Sequence, residues 1–338
     1  MPTPTAIIGA NGYAGAELLR MIWAHPELDL RCVVGGRRGK GSVSDAWPAL
    51  TGHPLGGFPL SNLDIQEILD QAELVFLALP HGVSAPMVAR FLSAGLQVVD
   101  LGADFRLGDP ALWQRSYGVP HPCPNLLKDA VYGLPEIAGG DLPGARLIAA
   151  PGCYPTATTL AAWPLVQLGA SWLVADCMSG ISGAGRSPGA RNLYGSVNES
   201  VVAYGMGGSH RHTLEIERNL KGAKVSFTPH LVPMTRGLLA TVHAQLDLPA
   251  AKVNLAFSEA YDAHPLVVLR EQPPATGDVR GSALAHLHVA VDEARGVVSV
   301  SCAIDNLLKG AGAQALQALN LANGWPETLG LPQFPALL

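Results

Sequence analysis

Residues 5–15 read TAIIGANGYAG, and this stretch decides the fold. The first four residues form an apolar run typical of a buried strand, and Gly9, Gly12 and Gly15 then follow at a three-residue spacing. A helical pattern with one apolar face continues over residues 15–24. Glycines between a strand and a helix let the backbone approach a pyrophosphate, whose charge then lies at the helix N-terminus. The stretch therefore predicts a dinucleotide-binding turn.

Short apolar runs alternate with helical patterns through the rest of the first half of the chain. This alternation predicts βαβ units and a parallel sheet. A segment rich in proline and glycine, residues 118–144, is expected to be a loop. The predicted strands are 5–8, 30–34, 74–79, 97–101 and 146–149, and the predicted helices are 15–24, 65–69 and 85–94, with a further helix opening near Pro155.

From about residue 172 the pattern becomes one of successive strands, several with alternating polarity. Such runs predict a second, α+β domain with a mostly antiparallel sheet, and the domain boundary is expected between residues 148 and 155. The predicted strands are 173–179, 224–227, 239–246, 266–269, 284–291 and 297–304, and the predicted helices are 214–220, 253–261 and 306–321.

Composition excludes several classes of protein. The chain has 338 residues, of which 48% are hydrophobic and 14% are charged, with a formal net charge of −5. Disordered chains are poor in apolar residues, and nucleic-acid-binding proteins usually carry a basic stripe, so neither class fits. The five cysteines are widely spaced without a C-x-x-C pair, which argues against a disulfide framework and a metal site. The high apolar content favours an assembly of several copies of the chain.

One uncharged stretch, residues 147–175, needs separate treatment because it is long enough to suggest a membrane span. Prolines and glycines interrupt it, so we expect a buried strand, a turn and a helix instead. The N-terminus lacks the basic flank and apolar run of a signal peptide. We therefore expect a cytoplasmic protein without a membrane partner.

The segment after the second predicted strand indicates which nicotinamide cofactor is bound. A site selective for NAD usually has an acidic residue there, which binds the ribose 2′-hydroxyl. This chain has Arg37 and Arg38 instead. Because a guanidinium suits the 2′-phosphate, the sequence favours NADP(H).

Cys153 is the strongest catalytic candidate. It lies in the run Gly152–Thr156, between a predicted strand and a predicted helix whose early proline suits the first helical turn. A thiol at a helix N-terminus is favoured as the thiolate, and the free N–H groups there can hold an oxyanion. The other cysteines are assigned no catalytic role.

A nucleophilic thiolate needs a proton partner, and the histidines of the run 209–213 are available. Histidine is the usual general acid or base near neutral pH. Either His210 or His212 could supply this group, and the residues alone leave the choice open. Pro80 and His81, at the end of a predicted parallel strand, are expected to line the cofactor crevice.

A glycine-rich loop, residues 179–186, ends in Arg186. Backbone N–H groups and a guanidinium can together bind an anion, so Ser182, Gly183 and Arg186 are substrate-binding candidates. Arg106 is a weaker candidate for the same role.

These segments resemble the N-acetyl-γ-glutamyl-phosphate reductase family of arginine biosynthesis. The matching runs are 9–15, 79–82, 100–107, 152–156, 179–186, 210–213 and 305–310, and they extend over nearly the whole chain. The chain departs from the family pattern at Gly36 and at Gly102, where the family commonly has serine.

The resemblance implies an α/β protein in which an NADP-binding Rossmann domain is followed by an α+β catalytic domain of the glyceraldehyde-3-phosphate dehydrogenase type. The Rossmann domain would comprise residues 1–150 and a C-terminal segment, 305–338, and the catalytic domain residues 151–304. The implied nucleophile is Cys153, the implied acid/base is His210, and Asn306 would lie near the nicotinamide. His212 would be a substrate-binding or orienting residue nearby, although its role and that of His210 could be exchanged. The family also implies a homodimer or homotetramer. The implied cofactor-binding residues in the glycine turn are Gly9, Asn11, Gly12, Tyr13, Ala14 and Gly15.

Three alternatives stay open at this point. The related lysine-biosynthetic reductase acts on carrier-linked α-aminoadipyl phosphate, and residues 324–330 resemble some of its members. Aspartate-semialdehyde dehydrogenase shares the chemistry, but Gly152 argues against it. A non-catalytic NADP-binding regulator would not need both Cys153 and His210, and a thiol hydrolase would leave the glycine turn unexplained.

Overall fold

The computed structural model describes residues 1–35, 41–187, 189 and 192–337. The chain divides into two compact units. Unit 1 combines Met1–Pro151 with Gly312–Leu331, and unit 2 combines Gly152–Ala311 with Pro332–Leu338.

A parallel sheet forms the centre of unit 1. The strands of this unit are β1 (Thr3–Ile8), β2 (Leu28–Val34), β3 (Gly41–Ser42), β4 (Pro59–Leu60), β5 (Leu74–Leu77), β6 (Gln97–Asp100), β7 (Ala130–Tyr132) and β8 (Leu147–Ala149). Six of them pair in the order β2-β1-β5-β6-β8-β7, and every pair is parallel. All four residues of β5 are buried, as expected for a parallel strand covered on both faces. The parallel sheet expected from the first half of the sequence is confirmed.

Helices connect these strands. They are α1 (Tyr13–Ala24), α2 (Val43–Ala46), α3 (Ile65–Gln71), α4 (Ala85–Ser93), α5 (Pro110–Tyr117) and α6 (Pro135–Ala138). The expected loop at 118–144 is partly wrong, because it contains α6 and the edge strand β7. A three-residue strand at a sheet edge needs no long apolar run, and so the sequence gives little sign of it.

Unit 2 contains a mixed sheet. Its strands are β9 (Trp172–Ser179), β10 (Val202–Ala203), β11 (Lys224–Leu231), β12 (Leu238–Gln245), β13 (Val267–Leu269), β14 (Ala285–Asp292) and β15 (Val297–Ile304). They pair in the order β10-β11-β9-β12-β15-β14-β13. The β9–β11 and β13–β14 pairs are parallel and the other pairs are antiparallel, which confirms the expected mostly antiparallel sheet.

The helices of unit 2 are α7 (Cys153–Gln167), α8 (Tyr194–Val197), α9 (His212–Asn219) and α10 (Ala250–Tyr261). Helix α7 is buried along most of its length and shares one hydrophobic core with the sheet. A helix that is apolar all round is expected to be buried in this way. Among the described residues, no helix is both long and apolar enough to cross a membrane, and the uncharged stretch 147–175 forms β8, α7 and the start of β9.

The last helix, α11 (Ala313–Ala322), belongs to unit 1. The sequence predicted that it begins at residue 306, and this boundary is wrong. The Asp305 carboxylate accepts the N–H groups of Leu307 and Leu308, and a π-helical turn, Leu308–Gly312, precedes the regular helix.

Pro164 lies inside α7 and leaves a backbone group without its usual partner. Proline has no N–H, so the carbonyl of Leu160, four residues earlier, cannot form the normal helical hydrogen bond. The buried Tyr261 hydroxyl donates to this carbonyl oxygen at 2.6 Å. Helix α10 therefore satisfies a defect that proline creates in α7.

We expect Tyr261→Phe to lower the free energy of unfolding by about 1–3 kcal/mol, because it leaves the buried Leu160 carbonyl without this donor. Chemical denaturation of the full-length protein measures this change in the free energy of unfolding. Tyr194→Phe is the matched control, since the Tyr194 side chain is 81% exposed. Equal stability of the two variants would contradict the role given to Tyr261.

Candidate active site

Cys153 is the first residue of α7, which confirms the helix start expected from the sequence. Its N-cap is Gly152, which has no side chain with which to bond the first N–H groups of the helix. Cys153 is half-buried. A Cβ placed on Gly310 would lie 2.7 Å from the Cys153 Cβ, so only glycine fits against the thiol-bearing residue there. The thiol thus lies at a helix N-terminus, the position that favours the thiolate.

Glu215 positions the residue before the thiol. Its carboxylate is buried on α9 and accepts the N–H of Gly152 at 3.0 Å. The sequence analysis missed Glu215. It follows His212 by three residues, which places both on one face of a helix, and that spacing could have indicated it.

His210 lies among aromatic rings. Its ring centroid is 5.8 Å from that of Tyr154, 5.6 Å from Tyr204, 5.4 Å from Phe227 and 4.8 Å from His212. Burial, together with the positive charge of Arg211, lowers the pKa of His210 to about 4. The ring is therefore neutral at pH 7.

A backbone hydrogen bond assigns the tautomer of His210. The N–H of His212 donates to His210 Nδ1 at 3.1 Å. Because Nδ1 accepts, the proton of the neutral ring is on Nε2. His210 can therefore present an Nε2–H donor.

Two tyrosines, Tyr154 and Tyr204, contact His210, and neither was assigned a role from the sequence. The hydroxyl oxygens of Tyr154 and Tyr204 are 3.0 Å apart. Burial raises the pKa of Tyr204, and the charge of nearby Cys153 raises it further. Both hydroxyls consequently stay protonated near the thiol.

The glycine-rich loop at 179–186 is built differently from the expectation. The N–H groups of Gly180, Ile181, Ser182, Gly183 and Gly185 all donate to backbone carbonyl oxygens. These groups are engaged within the fold and are not directed to an anion. The Arg186 side chain is exposed, and its binding of an anion stays a prediction.

Asn306 fixes the same loop from the other side. Its Nδ2 donates to Ser182 Oγ at 2.9 Å, and its Oδ1 accepts the N–H of Gly237 at 2.7 Å. Gly183 lies beside it, since a Cβ there would be 3.7 Å from Asn306 Nδ2. Asn306 belongs to unit 2 with the thiol.

In unit 1 the glycine turn has the form that a dinucleotide needs. A Cβ on Gly9 would lie 2.2 Å from the Ala78 carbonyl oxygen, and a Cβ on Gly15 would lie 2.2 Å from that of Gly9. Gly12 is the N-cap of α1, so no side chain covers the helix N-terminus from this position. Trp47 Nε1 donates to the Ala10 carbonyl at 2.9 Å and fixes the turn from outside.

The other predicted cofactor residues in unit 1 lie at the same edge of the sheet. Tyr13 and Ala14 open α1 directly after Asn11 and Gly12, and Pro80 and His81 follow β5, the neighbour of β1. Nucleotides bind outside the carboxyl ends of parallel strands, so this placement fits the pyrophosphate and nicotinamide groups of such a cofactor. Arg37 and Arg38 lie outside the described residues.

Arg106 is used inside unit 1. It is 5% exposed, its Nε donates to the Ala150 carbonyl at 2.8 Å and its Nη2 to the Leu101 carbonyl at 2.7 Å. These bonds join the chain segments that follow β6 and β8. These two bonds are structural, and the binding of a substrate anion by Arg106 stays a prediction.

Comparison with known proteins identifies the class first. Residues 4–144 match the NAD-binding domain of semialdehyde dehydrogenases, and residues 153–306 match the dimerisation domain of the same enzymes. The class is therefore that of NAD(P)-dependent semialdehyde dehydrogenases and reductases, which confirms the expected cofactor type and fold class.

Relatives identify the family more closely. N-acetyl-gamma-glutamyl-phosphate reductase of Geobacter sulfurreducens is 43% identical over 340 residues, covering 96% of this chain and 97% of that protein. The enzyme of the same name from Moorella thermoacetica is 42% identical over 337 residues, covering 96% of each. The chain belongs to the N-acetyl-gamma-glutamyl-phosphate reductase family, as its sequence motifs predicted.

Solved structures show the same fold. Aspartate semialdehyde dehydrogenase II from Vibrio cholerae superposes with a TM-score of 0.71 at 17% identity, covering 95% of this chain and 98% of that chain. The Candida albicans enzyme with NADP gives a TM-score of 0.71 at 16% identity with the same coverage. At these identities the likeness supports the fold alone.

The tautomer and low pKa of His210 lead to a spectroscopic prediction. We expect the Cε1–H resonance of His210 to titrate with a midpoint near pH 4, because burial and Arg211 disfavour the imidazolium. Proton NMR over pH 3.5–8 measures the midpoint, and loss of the resonance in His210→Gln assigns it. A midpoint near 6.5 would contradict the lowered pKa of His210.

Proposed function

We propose that this chain reduces N-acetyl-γ-glutamyl phosphate with NADPH to N-acetylglutamate γ-semialdehyde and phosphate, in arginine biosynthesis. The observation that carries the proposal is Cys153 at the glycine-capped N-terminus of α7, within a group of side chains that includes His210 and Glu215. Relatives that share nearly the whole chain carry the name of this reaction.

The Cys153 thiolate attacks the γ-acyl carbon, and the first N–H groups of α7 stabilise the oxyanion that forms. Collapse of this adduct breaks the bond to phosphate and leaves a thioester on Cys153. Arg186 is the proposed ligand of the departing phosphate. When bound, NADPH supplies the hydride that reduces the thioester.

His210 then serves the oxygen of the reduced carbon. Its Nε2–H donates to the developing alkoxide, because Nδ1 is already occupied by the His212 N–H. His210 donates only a hydrogen bond and transfers no proton, so the thiohemiacetal remains an oxyanion. Its collapse breaks the C–S bond, expels the aldehyde and returns the thiolate of Cys153. His212 is proposed to bind substrate, and its own backbone holds His210 in the donating tautomer.

We assign the cofactor to residues 1–150 with the C-terminal segment, and the chemistry to residues 151–304. Gly9–Gly15, Pro80 and His81 are proposed to hold NADPH, with Arg37 and Arg38 on its 2′-phosphate. Asn306 is proposed near the nicotinamide. A catalytic thiol must stay reduced, which favours the cytoplasm as its compartment.

The first experiment is the reverse reaction. N-acetylglutamate γ-semialdehyde and NADP are supplied, and NADPH absorbance is followed with and without phosphate. We expect phosphate-dependent reduction of NADP, and Cys153→Ser should lower it by about 10³-fold or more because the hydroxyl is a far weaker nucleophile. NADPH fluorescence should show that this variant still binds the cofactor.

Cys123→Ser is the matched control, since Cys123 has the same intermediate burial as Cys153 and lies in unit 1. It should keep near-normal turnover. Activity only with carrier-linked aminoadipate semialdehyde would transfer the enzyme to lysine biosynthesis. Near-normal turnover of Cys153→Ser would overturn the thioester mechanism.

We also propose that the chain forms a homodimer or homotetramer through the open face of the unit 2 sheet. Alternate residues of β9, such as Leu173 and Cys177, are buried in the core, whereas Trp172 and Met178 on the opposite face are 58% and 44% exposed. Exposed apolar groups in a central strand favour a protein partner. The match of this region to a dimerisation domain supports a second copy as that partner.

Met178→Lys should shift the protein to a smaller species, because it places a charge in the proposed interface. Light scattering coupled to gel filtration measures the mass. Leu255→Lys is the matched control, since Leu255 is 56% exposed on α10. An unchanged mass for Met178→Lys would exclude this face as the interface.

A further inference from the structure

Two buried carboxyl groups share one hydroxyl group in unit 1. Asp100 ends β6, Asp104 follows it closely, and Ser84 precedes α4; the side chains of all three are fully buried. Ser84 Oγ lies 3.0 Å from Asp100 Oδ2 and 2.9 Å from Asp104 Oδ2. Both distances are those of hydrogen bonds, but a serine hydroxyl has a single proton to donate.

Asp104 is the acceptor in its contact with Ser84. Its Oδ2 already accepts the N–H groups of Ser84 and Ala85, at 3.1 and 3.0 Å, and its Oδ1 accepts that of Gly82 at 2.6 Å. An oxygen that receives two N–H donors does not also carry the proton. The Ser84 hydroxyl proton therefore points to Asp104.

The contact between Ser84 and Asp100 then needs a proton from Asp100. Its Oδ2 has to be the hydroxyl of a carboxylic acid that donates to Ser84 Oγ. Its Oδ1 accepts the Gly102 N–H at 2.9 Å, as the carbonyl oxygen of such an acid would. A Cβ on Gly102 would lie 2.9 Å from this oxygen, so the glycine leaves the space that the acid occupies.

The charges around Asp100 are few. Burial and the charge of Asp104 raise the pKa of Asp100 to about 7, although the Gly102 N–H, Ser84 and Arg106 each act to lower it. The neighbouring strands β5 and β8 place Leu77 and Ala149 beside it. Helices α4 and α11 pack on strand β6. Within the described part of these two helices, Arg90 is the one charged residue, and its side chain is exposed.

We propose that Asp100 is a neutral carboxylic acid that donates a hydrogen bond to Ser84 Oγ, while the Ser84 hydroxyl donates to Asp104. This chain of two hydrogen bonds positions the turn Gly82–Ala85. This role in cofactor binding rests on the proposed function, because His81, a proposed NADPH residue, directly precedes the turn. Asp100 is thus a positioning residue. When Asp100 loses its proton, the Ser84 hydroxyl can donate to only one of the two carboxylates, and the other contact has no hydrogen atom between its oxygens.

The sign of the pH dependence follows from the retained proton. Folded Asp100 keeps its proton where an unfolded aspartate has lost it, so its contribution to stability falls as pH rises from the ordinary aspartate range to about 7. An ionised Asp100 held by Arg106 would give the opposite trend. The two states are therefore distinguishable without measuring activity.

The test compares Asp100→Asn with wild type by thermal denaturation of the full chain from pH 4.5 to 8.5. Asparagine keeps one donor and one acceptor and does not titrate. We expect the melting temperature of the variant, relative to that of wild type, to increase by several degrees as pH rises through this range. A difference that stays constant or falls with pH would overturn the proposal. Asp141→Asn, at an exposed position of unit 1, is the matched control and should show no such gain.

Infrared spectroscopy of the wild-type protein keeps the test independent of whether the variant folds. We expect the carbonyl band of a protonated carboxylic acid at pH 6, and its loss at pH 9. Absence of the band at pH 6 would overturn the proposal. In Ser84→Ala the band should shift in frequency, because the acid loses its acceptor, and an unmoved band would contradict the hydrogen bond to Ser84.

Fluorescence titration with NADPH tests the positioning role. The dissociation constant of wild type should rise severalfold between pH 6 and pH 8.5, and that of Asp100→Asn should change less. The same slope in both proteins would remove the role in cofactor binding. If wild type bound no NADPH at any pH, the proposed function would fail, while the stability and infrared results would still decide the protonation of Asp100.

Discussion

Unit 2 depends on one constraint, the satisfaction of backbone polar groups at the start of helix α7 and along it. A helix buried along most of its length must have its terminal N–H and C=O groups satisfied by something other than water. The carboxylate of Glu215 takes the Gly152 N–H, and the Tyr261 hydroxyl takes the carbonyl that Pro164 leaves open. These two bonds satisfy backbone groups just before and within α7, the helix whose first residue is Cys153.

Unit 1 solves the same problem in two opposite ways. At the start of helix α4, the Asp104 carboxylate accepts three backbone N–H groups. The N-terminus of α4 therefore already has an anionic partner within the protein. Helix α1 begins after Gly12, which has no side chain to bond its first N–H groups. Since a helix N-terminus attracts negative charge, α1 is suited to an outside anion and α4 is not. This difference explains why the glycine turn, and not the turn at Gly82, suits a pyrophosphate.

The features that were predictable from the sequence are local ones. The glycine spacing at 9–15 can be recognised in the sequence because Gly9 lies too close to Ala78, and Gly15 too close to Gly9, for either to carry a Cβ. The position of Cys153 was predictable because a strand, a glycine and an early proline define a helix start within a few residues. Family motifs then added His210.

The features that were missed depend on residues far apart in the chain. Glu215 meets Gly152 across 63 positions, and no short pattern reports that contact. The N–H groups of the loop at 179–186 were taken as free for an anion, but most meet carbonyls of residues 234–237. Asp100 reads as an ordinary charged residue in the sequence, and only its burial beside Asp104 makes its charge costly.

The hydrogen bond to His210 Nδ1 decides how the catalytic work is divided. A histidine that activated the thiol as a base would need a free lone pair on Nε2, and the His212 N–H favours the tautomer in which that nitrogen carries the proton. The low pKa of the ring makes it a poor acceptor as well. In the proposed mechanism, activation of Cys153 is therefore assigned to the N-terminus of α7, and His210 is assigned to donate to the substrate oxygen. His210 is in this donating form at neutral pH, because its pKa is lowered to about 4.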